Sequence, residues 1–330
     1  MLSRQFVEDL WYGNNSYSRL LAPLGWLYAT TMVLRRWAYR CGLLPVQRLP
    51  IPVIVVGNIT VGGTGKTPLI IWLANFLRQN GYHPGIVSRG YGGKAKHYPQ
   101  QVRPDSDPYM AGDEPVLIAQ RTGCPVATSP HRYQAARRLS EHTGCDLILC
   151  DDGLQHHALH RDIEIAVVDG DRRFGNGRCL PAGPLREPVG RLQRMDMVVA
   201  NGHAGKNQYL MTYQPQSPRA LHDPTVSCDI DSLAGKSVHV VTGIGNPQRF
   251  YDYLRSRRLT LIKHNFPDHH QFRREDLRFD DDFPIFMTEK DAVKCRRFNI
   301  PDCWYIPIDA VMTTAFEYRF KKLIDEVING

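Results

Sequence analysis

Val53-Ile-Val-Val-Gly-Asn-Ile-Thr-Val-Gly-Gly-Thr-Gly-Lys-Thr67 runs into the apolar stretch Pro68-Leu-Ile-Ile-Trp-Leu-Ala-Asn-Phe-Leu77. A β-branched run, a glycine-rich turn and an amphipathic stretch read as strand, phosphate-binding loop and helix. In such a turn backbone N–H groups close around phosphates, and the helix N-terminus adds partial positive charge. Gly62, Gly63, Thr64, Gly65, Lys66 and Thr67 are thereby assigned to the nucleotide. Lys66 would reach the β- and γ-phosphates and Thr67 would ligate magnesium, so ATP and Mg2+ are the expected cofactors.

The general pattern asks for glycine where this chain has Thr60. The Gly62–Thr67 core resembles the variant phosphate loop of a large class that includes partitioning ATPases. Those ATPases often carry an extra lysine early in the loop, where this chain has Val61.

Downstream, short β-branched runs alternate with amphipathic stretches, which predicts an α/β fold with a mostly parallel sheet flanked by helices. The expected strands are Val53–Val56, Gly85–Ser88, Leu147–Cys150, Ile163–Val168 and Met197–Ala200. Helices are expected over Thr67–Gln79 and from Ser129-Pro130, where serine and proline read as a cap and first helical residue. The Pro-, Ser- and Asp-rich stretch Pro215–Asp231 marks a boundary. A second, smaller α/β unit should follow, with strands Ser237–Thr242, Leu259–His264, Ile285–Thr288 and Trp304–Ile308 and a closing helix at Ala315–Ile328. The expected division is thus 1–45, an N-terminal helical segment; 46–225, the nucleotide-binding core; and 226–330, the unit that closes the cleft.

Asp146-Leu-Ile-Leu-Cys-Asp-Asp-Gly153 is an apolar strand ending in paired acids, the arrangement in which a carboxylate at a strand's end holds the metal. Asp151 and Asp152 are therefore candidate magnesium residues. His156 and His160 in Gln155-His-His-Ala-Leu-His160 have a spacing that suits zinc on a helix, but a third ligand is missing. They read instead as polar lining of a substrate cleft or as surface residues, with Gln155 and His156 as substrate candidates. Arg186 and Glu187, in Gly183-Pro-Leu-Arg-Glu-Pro188, suit either a fixed charge pair near phosphates or a purely structural loop.

The 330 residues carry a formal charge of +8, which points to an anionic partner. No nucleic-acid motif is present, and no obligate protein partner is expected. The eight cysteines form no CxxC pair, which fits a reducing compartment. Near the N-terminus the apolar run Leu20–Leu34 is too short to span a bilayer and lacks a signal-peptide cleavage pattern. Its tryptophans and tyrosines, interleaved with Arg19, Arg35, Arg36 and Arg40, predict either attachment to an anionic membrane surface or a helix hairpin packed on the body.

An ordered set of motifs covers nearly the whole chain: Val56–Pro68, Ser88-Arg-Gly-Tyr-Gly-Gly93, Gly112-Asp-Glu-Pro115, Asp151-Asp-Gly-Leu-Gln-His156, Pro181–Pro188, Phe266-Pro-Asp-His-His270 and Thr288-Glu-Lys-Asp291. Together they resemble the tetraacyldisaccharide 4′-kinase family. The resemblance implies transfer of the γ-phosphoryl group of ATP to the 4′-hydroxyl of a tetra-acylated glucosamine disaccharide 1-phosphate. The implied location is the cytoplasmic face of the bacterial inner membrane. It implies Asp113 as the proton acceptor supported by His269, Lys66 as a catalytic residue, and Glu187 in the magnesium shell with Thr67, Asp151 and Asp152. Arg89 is a candidate partner for a phosphate of acceptor or nucleotide, and Gln155, His156 and Arg186 for substrate. The competing readings are a nucleotide-dependent switch or partitioning-type ATPase, and a phosphate-loop enzyme with a small soluble acceptor.

Overall fold

The computed structural model describes residues 4–13 and 15–329. Helices α1 (Arg4–Tyr12), α2 (Tyr17–Leu20) and α3 (Ala22–Arg40) open the chain. The first unit then runs β1 (Val53–Gly57), α4 (Lys66–Gln79), β2 (Pro84–Ser88), β3 (Gln100–Val102), α5 (Pro108–Ala111), α6 (Asp113–Thr122), β4 (Val126–Thr128), α7 (Arg132–His142), β5 (Leu147–Asp151), β6 (Ile163–Asp169), β7 (Met197–Asn201) and β8 (Tyr209–Pro215). The second comprises β9 (Arg219–Ala220), β10 (Ser237–Thr242), α8 (Gln248–Ser256), β11 (Thr260–Asn265), β12 (Ile285–Thr288), α9 (Glu289–Cys295) and β13 (Cys303–Ile306). Then β14 (Ile308–Met312) and α10 (Thr314–Asn329) close the chain.

Among the described residues the strands form a nine-stranded sheet, ordered β14-β8-β7-β6-β1-β5-β2-β4-β3, and a five-stranded sheet, ordered β11-β10-β12-β13-β9. The larger sheet is parallel from β8 to β4, with antiparallel β14 and β3 at its edges. Strand β1 sits in mid-sheet and is buried throughout, which is why it reads as an unbroken apolar run. Ile54 and Val56 pack toward α4 through Leu69, Ile70, Leu73 and Leu77. Val53 and Val55 face the opposite way, toward Ala135, Ala136 and Leu139 of α7. The strand therefore aims its C-terminal end, and the loop that follows, at one edge of a rigid layer.

The structure departs from three sequence expectations. Helix α7 starts at Arg132, because the Ser129 hydroxyl accepts the His131 N–H in a turn and Pro130 stays outside the helix. The expected strand Trp304–Ile308 is broken at Pro307: β13 stays in the second sheet while β14 pairs antiparallel with β8 of the first. The crossing lies beside the outgoing one, with Gln216 N donating to the Pro307 carbonyl at 2.9 Å. Third, α10 belongs to the first unit rather than to a block spanning 226–330, since Phe316, Phe320, Leu323 and Ile324 join the α4 core and the Phe316 ring meets Trp72 edge-on.

The N-terminal helices pack on the body of the protein, one of the two expected readings, and leave an apolar side exposed. One side is anchored: Trp11 Nε1 donates to the Pro181 carbonyl at 3.2 Å, and Gly25 approaches so closely that a Cβ there would lie 2.9 Å from the Cys179 carbonyl oxygen. The other side exposes Leu20, Leu24, Trp26, Leu27, Val33, Leu34 and Trp37, with Arg35 and Arg40 also exposed. Among the described residues no helix is long and apolar enough to cross a membrane.

Phe320→Ala should lower stability by about 3–5 kcal/mol, read by denaturant unfolding, because a fully buried ring leaves a cavity against α4. Tyr318→Ala, on the exposed side of the same helix, should stay within about 0.5 kcal/mol. Equal effects would remove α10 from the core.

Candidate active site

The phosphate loop leaves β1 and turns into α4 at Lys66. Asn58 Nδ2 donates to the Gly62 carbonyl at 3.2 Å and so fastens the loop's first half. Gly65, with φ of 102°, is closed in from behind: a Cβ there would lie 2.4 Å from the Tyr213 hydroxyl and 2.8 Å from Asn201 Nδ2. Glycine is required there for both its backbone and its lack of bulk. Lys66 Nζ lies 3.4 Å from Asp152, and Arg186 Nη1 reaches both oxygens of the same carboxylate at 3.1 Å. Burial alone would raise the Asp152 pKa, but Lys66 and Arg186 outweigh it and hold the group below the usual carboxylate range. Asp152 also has φ of 48°, the kind of backbone outlier that clusters at functional sites.

Asp151, one residue earlier, has the opposite balance. It is buried, and burial together with the neighbouring carboxylates Glu114 and Asp152 pushes its pKa up despite Lys66. Ser88 Oγ donates to Oδ2 at 3.1 Å, whereas Oδ1 has no partner among the described residues; nor does the buried Thr64 Oγ1 of the loop. Buried polar atoms in folded proteins are nearly always paired, so orphaned oxygens here suit an ion or ligand held by the chain. An acidic oxygen waiting for positive charge beside a phosphate cradle fits magnesium and ATP.

Across the cleft, Asp113 opens α6 and is buried, and His269 reaches it from the second unit with Nδ1 3.1 Å from each carboxylate oxygen. His269 has φ of 59° and packs beside Tyr91. From α9, Lys290 and Lys294, one turn apart, bring their Nζ atoms to 4.0 and 3.8 Å of Asp113 Oδ2. Burial would raise the Asp113 pKa, but the His269 hydrogen bond and these lysines bring it down to about 2. The same hydrogen bond raises His269 above its ordinary value, against burial. Lys290 also bridges Glu114 at 3.0 Å and Asp268 at 3.4 Å.

The remaining sequence candidates fall into two groups. Gln155 Nε2 donates to Glu187 Oε1 at 2.9 Å and to the Asn58 carbonyl at 3.1 Å. The other Glu187 oxygen lies 3.5 Å from Arg36 of α3 and from Arg191. Glu187 thus ties the N-terminal helices to the phosphate loop. His156 lies in a turn rather than on a zinc-binding helix, and burial with the adjacent Arg132 and Arg161 lowers its pKa to about 4, so it is neutral. No metal-binding cluster of His, Cys, Asp and Glu occurs among the described residues. Arg89 is exposed after β2. Sequence reading missed Arg132, a buried arginine whose Nη1 donates to the Ser129 carbonyl and whose charge acts on both Asp152 and His156. It also gave no role to Glu114, Lys294 or Asn201. Apart from Glu114, which belongs to the Gly112–Pro115 motif, none of these lies in a recognisable local pattern.

Because Asp113 stabilises the charged imidazole, the His269 titration midpoint followed by NMR should lie above the ordinary value of about 6.5, and Asp113→Asn should bring it down. The stability from this pair is complete between the unfolded carboxylate and imidazole values. It is lost as pH falls through about 2 and as pH rises through the raised His269 value. A midpoint unchanged by Asp113→Asn would mean that the pair is not formed in solution.

The family model described as tetraacyldisaccharide-1-P 4′-kinase matches residues 17–328. The tetraacyldisaccharide 4′-kinase of Nitrosococcus oceani is 52% identical over 316 residues, covering 96% of this chain and 93% of that one. That of Methylobacillus flagellatus is 49% identical over 313 residues, covering 94% and 93%. The crystal structure of LpxK from Aquifex aeolicus in complex with ATP superposes with a TM-score of 0.79 at 28% identity, covering 94% of this chain and 99% of that one. The chain belongs to the tetraacyldisaccharide-1-P 4′-kinase family.

Proposed function

We propose that this protein is an ATP- and magnesium-dependent kinase that phosphorylates the 4′-hydroxyl of a tetra-acylated glucosamine disaccharide 1-phosphate, a step of lipid A synthesis, at the cytoplasmic face of the inner membrane. The observation that carries the chemistry is the Asp113–His269 pair, joined at 3.1 Å between the two units, with the neighbouring Glu114 close enough to act on Asp151. Phosphoryl transfer needs in-line placement, neutralisation of phosphoryl charge and an acceptor for the hydroxyl proton.

Lys66 is the natural source of positive charge at the transferred group. It rests on Asp152, and the nucleotide phosphates are the anions that compete for it. Magnesium, when bound, adds further charge neutralisation. Asp151, with its free buried oxygen, and Thr67 are the residues suited to hold it, with Asp152 alongside. Glu187 suits that role less well, because Gln155, Arg36 and Arg191 already engage its carboxylate.

An isolated Asp113 with a pKa near 2 would be a feeble base. The pair behaves differently. When His269 is neutral, a proton taken up at Asp113 comes to rest on the imidazole, so the proton affinity that counts is the raised value of His269. The exposed face of α3 accounts for the lipid: its Trp and Leu side chains suit the acyl boundary, and Arg35 and Arg40 suit anionic headgroups. Neither a nucleotide-driven switch nor a small soluble acceptor explains that face together with the Asp113–His269 pair. Arg89, His156 and Arg186 remain the proposed contacts for substrate phosphate and sugar.

Transfer of one phosphate from ATP to detergent-dispersed tetra-acylated disaccharide 1-phosphate should be lost in Lys66→Ala. In Asp113→Ala and His269→Ala, kcat should fall about 10²- to 10⁴-fold while ATP binding persists. An ATP affinity loss as large as the rate loss would refute the proton-accepting assignment.

Deleting the N-terminal helices would remove anchoring contacts as well as the surface, so point changes are the cleaner test. The triple variant Trp26→Asp, Leu27→Asp and Leu34→Asp should lose cosedimentation with anionic phospholipid vesicles by more than about tenfold, yet retain turnover of dispersed acceptor. Unchanged vesicle binding would eliminate this face as the attachment surface.

A further inference from the structure

The catalytic pair accounts for one side of the second unit. On the other side Arg249, near the start of α8, reaches the first unit with a single nitrogen. Its Nη2 lies 2.6 Å from Asp171 Oδ2, 3.3 Å from Asp169 Oδ1 and 3.2 Å from the Asn201 carbonyl. Asp169 ends β6, is buried, and also accepts the N–H groups of Asp171 and Arg172, so its carboxylate shapes the turn that Arg249 grips. Asn201 ends β7 and is buried. Its side chain donates from Nδ2 to the Thr64 carbonyl of the phosphate loop at 3.2 Å and to the Tyr213 hydroxyl at 2.8 Å. That hydroxyl and Nδ2 are the two groups pressed against Gly65.

A chain of contacts therefore leads from α8 through Asn201 to the Thr64 carbonyl, with the Tyr213 hydroxyl held by Asn201 against Gly65. In the second unit, α8 follows β10 through a short loop that begins at Gly243. The strand β10 ends just before Gly243, whose N–H donates to Asp291 of α9 at 3.1 Å, and α9 carries the two lysines beside Asp113.

We propose that Arg249 is a positioning residue: by holding the second unit on the ends of β6 and β7 it fixes the shape of the phosphate loop, and so couples docking of the unit that carries His269 to ATP affinity. Its action runs through Asn201 and the loop backbone, with no contact to the reacting atoms. The inference rests on the kinase reading above for the acceptor, but its central readout needs ATP alone.

Magnesium–ATP binding is measured by calorimetry without acceptor, and steady-state KM values are measured with it. Arg249→Ala should weaken ATP binding about tenfold and raise the ATP KM to match, with the acceptor KM unchanged. Arg249→Lys should recover part of the loss, since an ammonium group can keep the Asp171 contact but lacks the guanidinium fork. Tyr213→Phe combined with Arg249→Ala should be less than additive in ATP affinity, as for groups acting along one chain. Unchanged ATP affinity in Arg249→Ala overturns the proposal. So does full additivity, or a loss that tracks a lower melting temperature of the nucleotide-free protein and is not relieved by lysine. Because binding is read without acceptor, a wrong acceptor would abolish transfer in the unmodified protein while leaving this comparison intact.

Discussion

Carboxylates buried at the end of a parallel sheet must be matched by positive charge, and the arrangement of this molecule follows from how that demand is met. Asp113 and Asp151 are buried and Asp152 is half-buried, at the strand and helix ends that carry the site. An unpaired buried charge costs several kcal/mol, so each must find a cation, a hydrogen-bond donor or a proton. Lys66 and Arg186 serve Asp152; His269, Lys290 and Lys294 serve Asp113. Asp151 alone keeps a raised pKa and a free oxygen. That deficit, at the strand end beside the phosphate loop, is the ground on which magnesium is proposed there.

The cations arrive from different parts of the chain, which makes the site an assembly. Lys66 comes from the loop after β1, Arg186 from the proline-bounded loop before β7, and Lys290, Lys294 and His269 from the second unit. That unit meets the first through Val293 of α9, which packs into the α4 core, and through charged pairs: Arg121 with Glu289, Lys290 with Glu114, His269 with Asp113, and Arg249 with Asp169 and Asp171. Polar interfaces of this kind typify domains that move relative to each other. The chain crosses between the units at adjacent points, near Gln216 and at Pro307, so the covalent connection is a narrow pair of strands and the ion pairs set the cleft.

A second route connects the phosphate loop to the N-terminal helices. Arg36 on α3 meets Glu187, Glu187 meets Gln155, Gln155 meets the Asn58 carbonyl, and the Asn58 side chain holds Gly62. The helix whose outer face is apolar is therefore a structural neighbour of the nucleotide site. Only its inner side, through Gly25 and Arg36, is committed to the body of the protein.

The sequence by itself determined the features that are local in the chain. The strand, loop and helix around Val53–Gln79 follow from the apolar run, the glycines and the amphipathic stretch, and the buried strand ending in Asp151 and Asp152 follows from the same alternation. The motif set was specific enough to name the family before any coordinates, because it was read as an ordered series spanning the chain. Tertiary structure alone decided the rest. It split Trp304–Ile308 between two sheets, since a run of strand-forming residues carries no label for the sheet it will join. It returned α10 to the first core, since an amphipathic helix specifies an apolar face but not the surface that will cover it. It brought Arg132, Glu114 and Lys294 to the site and Arg249 to the ends of β6 and β7, because a single charged residue in a helix looks like a solvated one until folding brings its partner within hydrogen-bond range.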